Sequence, residues 1–164
     1  MSQTISGGRT VTAPAPAPSA LSRSVRWGLG SLAVGVAVAV YGAYGDPHPK
    51  SSQEHAVPFI CGVLAVIAVA VFGALVPAGL RGIASRPGRW SGWALTTGIV
   101  ALLATPVSFW SGLPVLLGTA AAVLGVAGRR TGTGGRGLPT AALTVGAFAA
   151  VASVVIAVLG NLTS

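Results

Sequence analysis

Carboxylates are almost missing from this chain: Asp46 and Glu54 are the only two in 164 residues. Lysine occurs once (Lys50), cysteine once (Cys61) and histidine twice (His48, His55). Charged residues make up 7% of the sequence, against about 25% in an average soluble domain. That is too little polar surface to coat a water-soluble fold. A single cysteine excludes an intrachain disulfide and any CxxC redox or metal motif. Within its apolar run, Cys61 reads as a small hydrophobe.

What is present is apolar residue and arginine. Hydrophobic residues account for 52% of the chain, and the mean hydropathy is +0.80. The formal charge of +8 does not point to nucleic acid, because such binding needs basic residues gathered on one soluble face. Here the arginines separate apolar runs. The expected fold is an all-α membrane protein, a five-span transmembrane helix bundle with a disordered N-terminal tail.

The tail covers residues 1–27. Its run "TVTAPAPAPSA" cannot hold a helix and favours an extended, polyproline-like segment. The bundle covers 28–160, with spans at 28–44, 57–80, 91–107, 113–128 and 138–160. Residues 91–128 contain no charge and as one helix would reach roughly 57 Å at ~1.5 Å per residue. A hydrocarbon core is ~30 Å thick, so this stretch must turn, and "TPVSFWSGLP" (105–114) supplies the break. The first and fourth spans are short, which requires them to stand nearly upright or to lie where the bilayer thins.

Orientation follows from the arginines. Arg9, Arg23 and Arg26 precede the first span. Arg81, Arg86 and Arg89 lie between the second and third, and Arg129, Arg130 and Arg136 between the fourth and fifth. All fall on one side, which the positive-inside rule makes the cytoplasm. The amino terminus is then inside and the carboxyl terminus outside, in the cell membrane. Arg23, Arg26, Arg81, Arg86, Arg89, Arg129, Arg130 and Arg136 are the topology determinants. Trp27, Trp90 and Trp93 fall at the cytoplasmic ends of spans, and Tyr41, Tyr44, Phe109 and Trp110 near the external ends, where amphipathic rings favour the headgroup level. A cleaved signal peptide is the rival for span one, given Arg23 and Arg26 before an apolar run, but the segment is long and lacks a convincing small-x-small cleavage site before Asp46. The sequon Asn161-Leu162-Thr163 abuts the last span and is a three-residue match of the kind that arises by chance.

Small residues recur at helical spacing: Ser31, Gly35, Ala39 and Ala43 in span one, Gly118, Ala121, Ala122 and Gly125 in span four, Ala142, Gly146 and Ala150 in span five. Lipid supplies no hydrophobic drive for helices to associate, so close backbone approach must do so. These stripes predict a tightly packed bundle.

Little chemistry is available. Ion-coupled transport needs titrating groups facing an intramembrane path, and the five spans contain no Asp, Glu, Lys, Arg or His. Their hydroxyls (Thr96, Thr97, Thr119, Thr144, Ser153) are expected to bond the preceding turn of their own helix. A Ser-His-Asp set can be drawn only in the 45–56 loop, from Ser51, Ser52, His48, His55 and Asp46, with no Gly-x-Ser-x-Gly elbow. "RTGTGGRG" (130–137) lacks the Gly-Lys-Ser/Thr end of a phosphate loop and reads as a turn that attracts anionic headgroups.

The stretch "YGDPHPKSSQEHAVPFI" (44–60) collects both acids, both histidines and the lysine. Asp46-Pro47 starts a turn and Pro49 delays helix. Ser51 and Glu54 then fit a capping box at the head of span two. An external loop that avoids arginine must still be polar, so the loop reads as a structural cap. Metal binding by Asp46, His48 and His55 is the alternative, three ligands with no fourth. No metal, no cofactor and no catalytic residue is expected.

The segments "LTTGIVALLATP", "AAAVLGVAGRRTGTGGRG" and "AALTVGAF" show a Gly-containing span, a Pro-bearing turn, an "LG" span ending in arginines, a glycine-arginine loop and a final Ala/Gly-rich span. In this residues 93–150 resemble a family of small integral membrane domains of unknown function from high-GC Gram-positive bacteria. Leu138-Pro139 stands where that family has a small-residue pair. That family has no established activity, so the resemblance implies placement in a membrane and no mechanism. Two function classes follow: a non-enzymatic multi-pass protein that scaffolds or modulates a partner in the cell envelope, or a transport component or accessory subunit. The partners implied are the lipid bilayer and a membrane protein or second copy, with no nucleic acid.

Overall fold

A computed structural model describes residues 20–44, 51–131 and 135–162. All but the short connections of these are helical: α1 (Ala20–Tyr44), α2 (Ser51–Ala70), α3 (Val76–Ser85), α4 (Pro87–Ser108), α5 (Leu113–Thr131) and α6 (Gly137–Leu162). Five segments are long and apolar enough to cross a membrane, with α2 and α3 counted as one through the π-helical turn Val71–Leu75. The chain is a multi-pass, all-α membrane protein. Residues 1–19, most of the expected tail, and 45–50, half of the expected loop, lie outside the described residues.

Prolines explain where several helices begin. Pro87 opens α4, Pro114 is second in α5 and Pro139 third in α6. A first-turn proline loses nothing, because its missing N–H has no intrahelical partner there. The break in 105–114 is where the sequence places it. After α4, a 3₁₀ turn over Phe109–Ser111 leads to Gly112 at φ 72°, a left-handed conformation that glycine adopts without steric cost. The Ser111 hydroxyl donates to the Ser108 carbonyl (2.7 Å) and accepts from the Leu113 N–H (3.3 Å), which locks the corner. Both α4 (22 residues) and α5 (19 residues) are of spanning length, so 91–128 forms a full helical hairpin.

Three expectations need correction. Helix α1 starts at Ala20, so 20–27 is helix and not tail. The last proline of the tail is Pro18, and beyond it Ser24 and Gly28 are buried. The first spanning segment is Ser22–Gly42, 21 residues, and is not short. It carries Arg23 and Arg26, both exposed, in its first turns, where long side chains reach out of the hydrocarbon. The second segment runs from Ser51 to Ser85 in place of 57–80, and its 28-residue spanning part would be roughly 42 Å long, enough to require tilt or protrusion.

The core joins Leu64, Phe72, Val76, Ile83, Leu116 and Leu124. The closest packing is among α4, α5 and α6, where the small residues lie. A methyl group on Gly118 would come 2.5 Å from the Gly146 carbonyl oxygen, and one on Gly146 would come 2.5 Å from the Gly118 carbonyl oxygen and 2.9 Å from the Ala121 Cβ. At Gly125 it would meet the Pro139 carbonyl and the Leu143 nitrogen, each at 2.7 Å. Gly98 of α4 faces the same point, where a methyl group would lie 3.4 Å from the Ala121 Cβ and from the Gly146 nitrogen. Backbones therefore touch, as the spacing of the stripes predicts.

Candidate functional site

Helix α1 packs on α2 and on the π-helical turn Val71–Leu75, and its contact with the turn begins at Ser24, in the stretch expected to be tail. Ser24 is fully buried, and its hydroxyl donates to the carbonyl of Phe72. The reason lies in the π-helical turn. The Val76 N–H bonds to the Val71 carbonyl, five residues back. The next donor in that register would be residue 77, which is proline and has no N–H. The Phe72 carbonyl is orphaned, and Ser24 supplies the missing donor. One helical turn on, Gly28 admits the Phe72 ring, since a methyl there would lie 2.7 Å from the Phe72 Cβ. The signal was present as Ser24, Gly28, Ser31, Gly35 and Ala39, a single small-residue stripe that begins one turn before the first apolar run. Ala43, also assigned to the stripe, has no described side chain.

At the far end of α1, Gly35 packs on the backbone of Gly112, and Gly42 faces Trp110. Near its start, Arg23 shares a recess with Leu80 and Ile83 of α3 and with Ala127, Arg130 and Thr131 of α5. Trp90 of α4 packs on Gly79 and Gly82 of α3, and Pro139 of α6 on Gly128 of α5. These contacts gather Arg23, Arg26, Arg81, Arg86, Arg89, Arg129, Arg130 and Arg136 at one end of the bundle, and every one is exposed. Arg81 also donates from Nε to the Pro77 carbonyl at 3.2 Å.

Trp27, Trp93, Tyr41, Tyr44 and Trp110 are exposed, as rings at a headgroup level are. Trp90 is the exception. It is half-buried against the core, and its indole fills the space that the missing side chains of Gly79 and Gly82 leave.

The four threonine hydroxyls behave as expected. Thr96 bonds the Gly92 carbonyl (3.1 Å), Thr97 that of Trp93 (2.9 Å), Thr119 that of Val115 (2.7 Å) and Thr144 that of Thr140 (2.6 Å). Asp46 and His48 lie outside the described residues, and His55 is in the first turns of α2 with its side chain not described. Among the described residues no three His, Cys, Asp or Glu side chains come together.

A cleft runs between α1 and α6 over a floor of α5. Its arginine end, about 370 Å³, is lined by Arg23, Trp27, Leu80, Val126, Arg130 and Ala147. Its continuation, about 480 Å³, reaches Val34, Val115, Val154 and Val155. Trp27, Thr119, Ala150 and Val151 line both, so the two are one feature. Arg130 further shares a polar recess with Arg129 and Arg136. No protein-family model, curated protein or solved structure matches this chain.

Proposed function

We propose that the chain is a non-enzymatic, multi-pass protein of the cell membrane that scaffolds or modulates a partner in the cell envelope. Its amino terminus is in the cytoplasm and its carboxyl terminus outside, since arginine-rich connections stay on the cytoplasmic side. The observation that carries this reading is the use made of the polar and small groups within the bundle. Thr96, Thr97, Thr119 and Thr144 are committed to carbonyls of their own helices. Gly98, Gly118, Gly125 and Gly146 close the seam of α4, α5 and α6 to backbone contact. Such a bundle packs tightly, whereas a solute path needs polar groups turned toward it.

A partner then meets the outside of the bundle. Helix α2 packs chiefly on α1 and leaves Phe59, Val66 and Val69 at 75%, 70% and 73% exposure. A photo-crosslinking residue at Val66, tested in native membranes beside one at Val107, checks the reading. One discrete adduct to another membrane protein is expected from the α2 face. No adduct from either helix, together with solute flux through reconstituted vesicles above that of protein-free vesicles, would replace the scaffold with a transport component.

A further inference from the structure

The cleft between α1 and α6 has the length and the charge of a lipid site. From Arg23 to Val34 along α1 is eleven residues, roughly 16 Å at ~1.5 Å per residue. One leaflet of a hydrocarbon core ~30 Å thick is about that deep. Below the arginines the wall offers no free hydroxyl: Thr119 spends its own on Val115, Ser31 is bonded to the Gly28 carbonyl at 3.1 Å, and the rest of the lining is Val, Ala, Leu, Gly and Trp27. The cleft, about 370 Å³ at its arginine end and about 480 Å³ beyond it, has room along its length for a hydrocarbon chain. The mouth is cationic, with Arg23 on the α1 wall, Arg130 at the end of the α5 floor, and Arg129 and Arg136 sharing a recess with Arg130. Of the chain's two side-chain carboxylates, Asp46 follows α1 in the chain and Glu54 belongs to the first turn of α2, both beyond the opposite end of α1. The guanidinium charge at the mouth is therefore left for an anion from outside the chain.

We infer that this cleft binds one anionic phospholipid, with an acyl chain between α1 and α6 and the phosphate between Arg23 and Arg130. Guanidinium groups meet phosphate oxygens in pairs through a planar fork. Basic recesses between spanning helices are where anionic headgroups lodge. Trp27, 53% exposed between the arginines and the apolar cleft, sits at the level where an indole faces both hydrocarbon and headgroup. The inference goes beyond the scaffold reading and does not depend on which side of the membrane the arginines face.

Native mass spectrometry of the detergent-solubilised full chain, titrated with phosphatidylglycerol or with phosphatidylcholine of the same chain length, tests it. The wild type should retain one phosphatidylglycerol roughly tenfold to thirtyfold more tightly than phosphatidylcholine, the effect of two arginines near a headgroup. The double variant Arg23→Gln/Arg130→Gln should lose that preference. The pair Arg86→Gln/Arg89→Gln, which removes the same charge away from the cleft, should keep it. Ala147→Trp, which fills the cleft from an exposed position of α6, should weaken retention of both lipids. Melting temperatures of the variants in lipid-free detergent should match the wild type, which separates lost binding from lost folding. Four outcomes overturn the inference: equal retention of the two lipids by the wild type, equal loss of preference in both arginine pairs, displacement of phosphatidylglycerol by inorganic phosphate, or a lipid-independent dimer that Ala147→Trp abolishes. The last would put a second copy in the cleft.

Discussion

Ser24→Ala removes one hydroxyl from a fully buried position and leaves the Phe72 carbonyl without the donor that Ser24 provides. An acceptor stranded away from water costs ~1–3 kcal/mol in soluble proteins, while interhelical hydrogen bonds in a membrane average ~0.6 and reach ~1.7 kcal/mol. We expect a loss of about 1–2 kcal/mol, because alanine keeps the packing and only the bond is lost. The argument makes a sharper demand through Pro77. If that proline orphans the carbonyl, then Pro77→Ala returns a backbone N–H, and Ser24→Ala should cost much less in that background. The assay is a double-mutant cycle on unfolding in mixed micelles, followed by tryptophan fluorescence and helical circular dichroism. The expected coupling is about 1 kcal/mol. An equal cost of Ser24→Ala in both backgrounds would refute the reasoning and make the bond incidental to the π-helical turn.

Other perturbations follow from the same packing. Gly146→Ala should destabilise by about 1–3 kcal/mol, the usual cost of overpacking, because its methyl meets backbone at 2.5 Å and backbone cannot step aside. Gly30→Ala, with nothing within 4 Å of the new methyl, should be neutral in the same melting assay. Trp90→Ala should cost about 2–4 kcal/mol through the void it opens, and its emission in the wild type should be bluer than that of Trp93. Trp93→Ala, at a ring 57% exposed, should change melting little.

The spans, the turn at 105–114 and the Gly-Ala stripes of α5 and α6 were legible because each rests on a strong local rule: hydrophobic length, proline and glycine chemistry, and spacing of small residues. The start of α1 was not. Residues 20–27 are polar by composition, and helix there depends on Ser24 and Gly28 meeting Phe72, which is 44 residues beyond Gly28 in the chain. The inward turn of Trp90 escaped for the same reason, since it depends on Gly79 and Gly82 leaving room for an indole from the next helix. The cleft was equally invisible. Arg23 and Arg130 read as separate topology signals, and only the antiparallel packing of α1 and α5 brings them to one mouth.

Cysteine labelling in intact cells, in a Cys61→Ser background, tests the five-span arrangement and its orientation most directly. A membrane-impermeant maleimide is applied to Gly88→Cys, at the arginine end of the bundle, and to Leu162→Cys, at the end of α6. Both positions are exposed, and a side chain at Gly88 meets nothing within 4 Å. Leu162→Cys should label without permeabilisation and Gly88→Cys only after it. Labelling of Gly88→Cys in intact cells, with Leu162→Cys protected, would contradict the account.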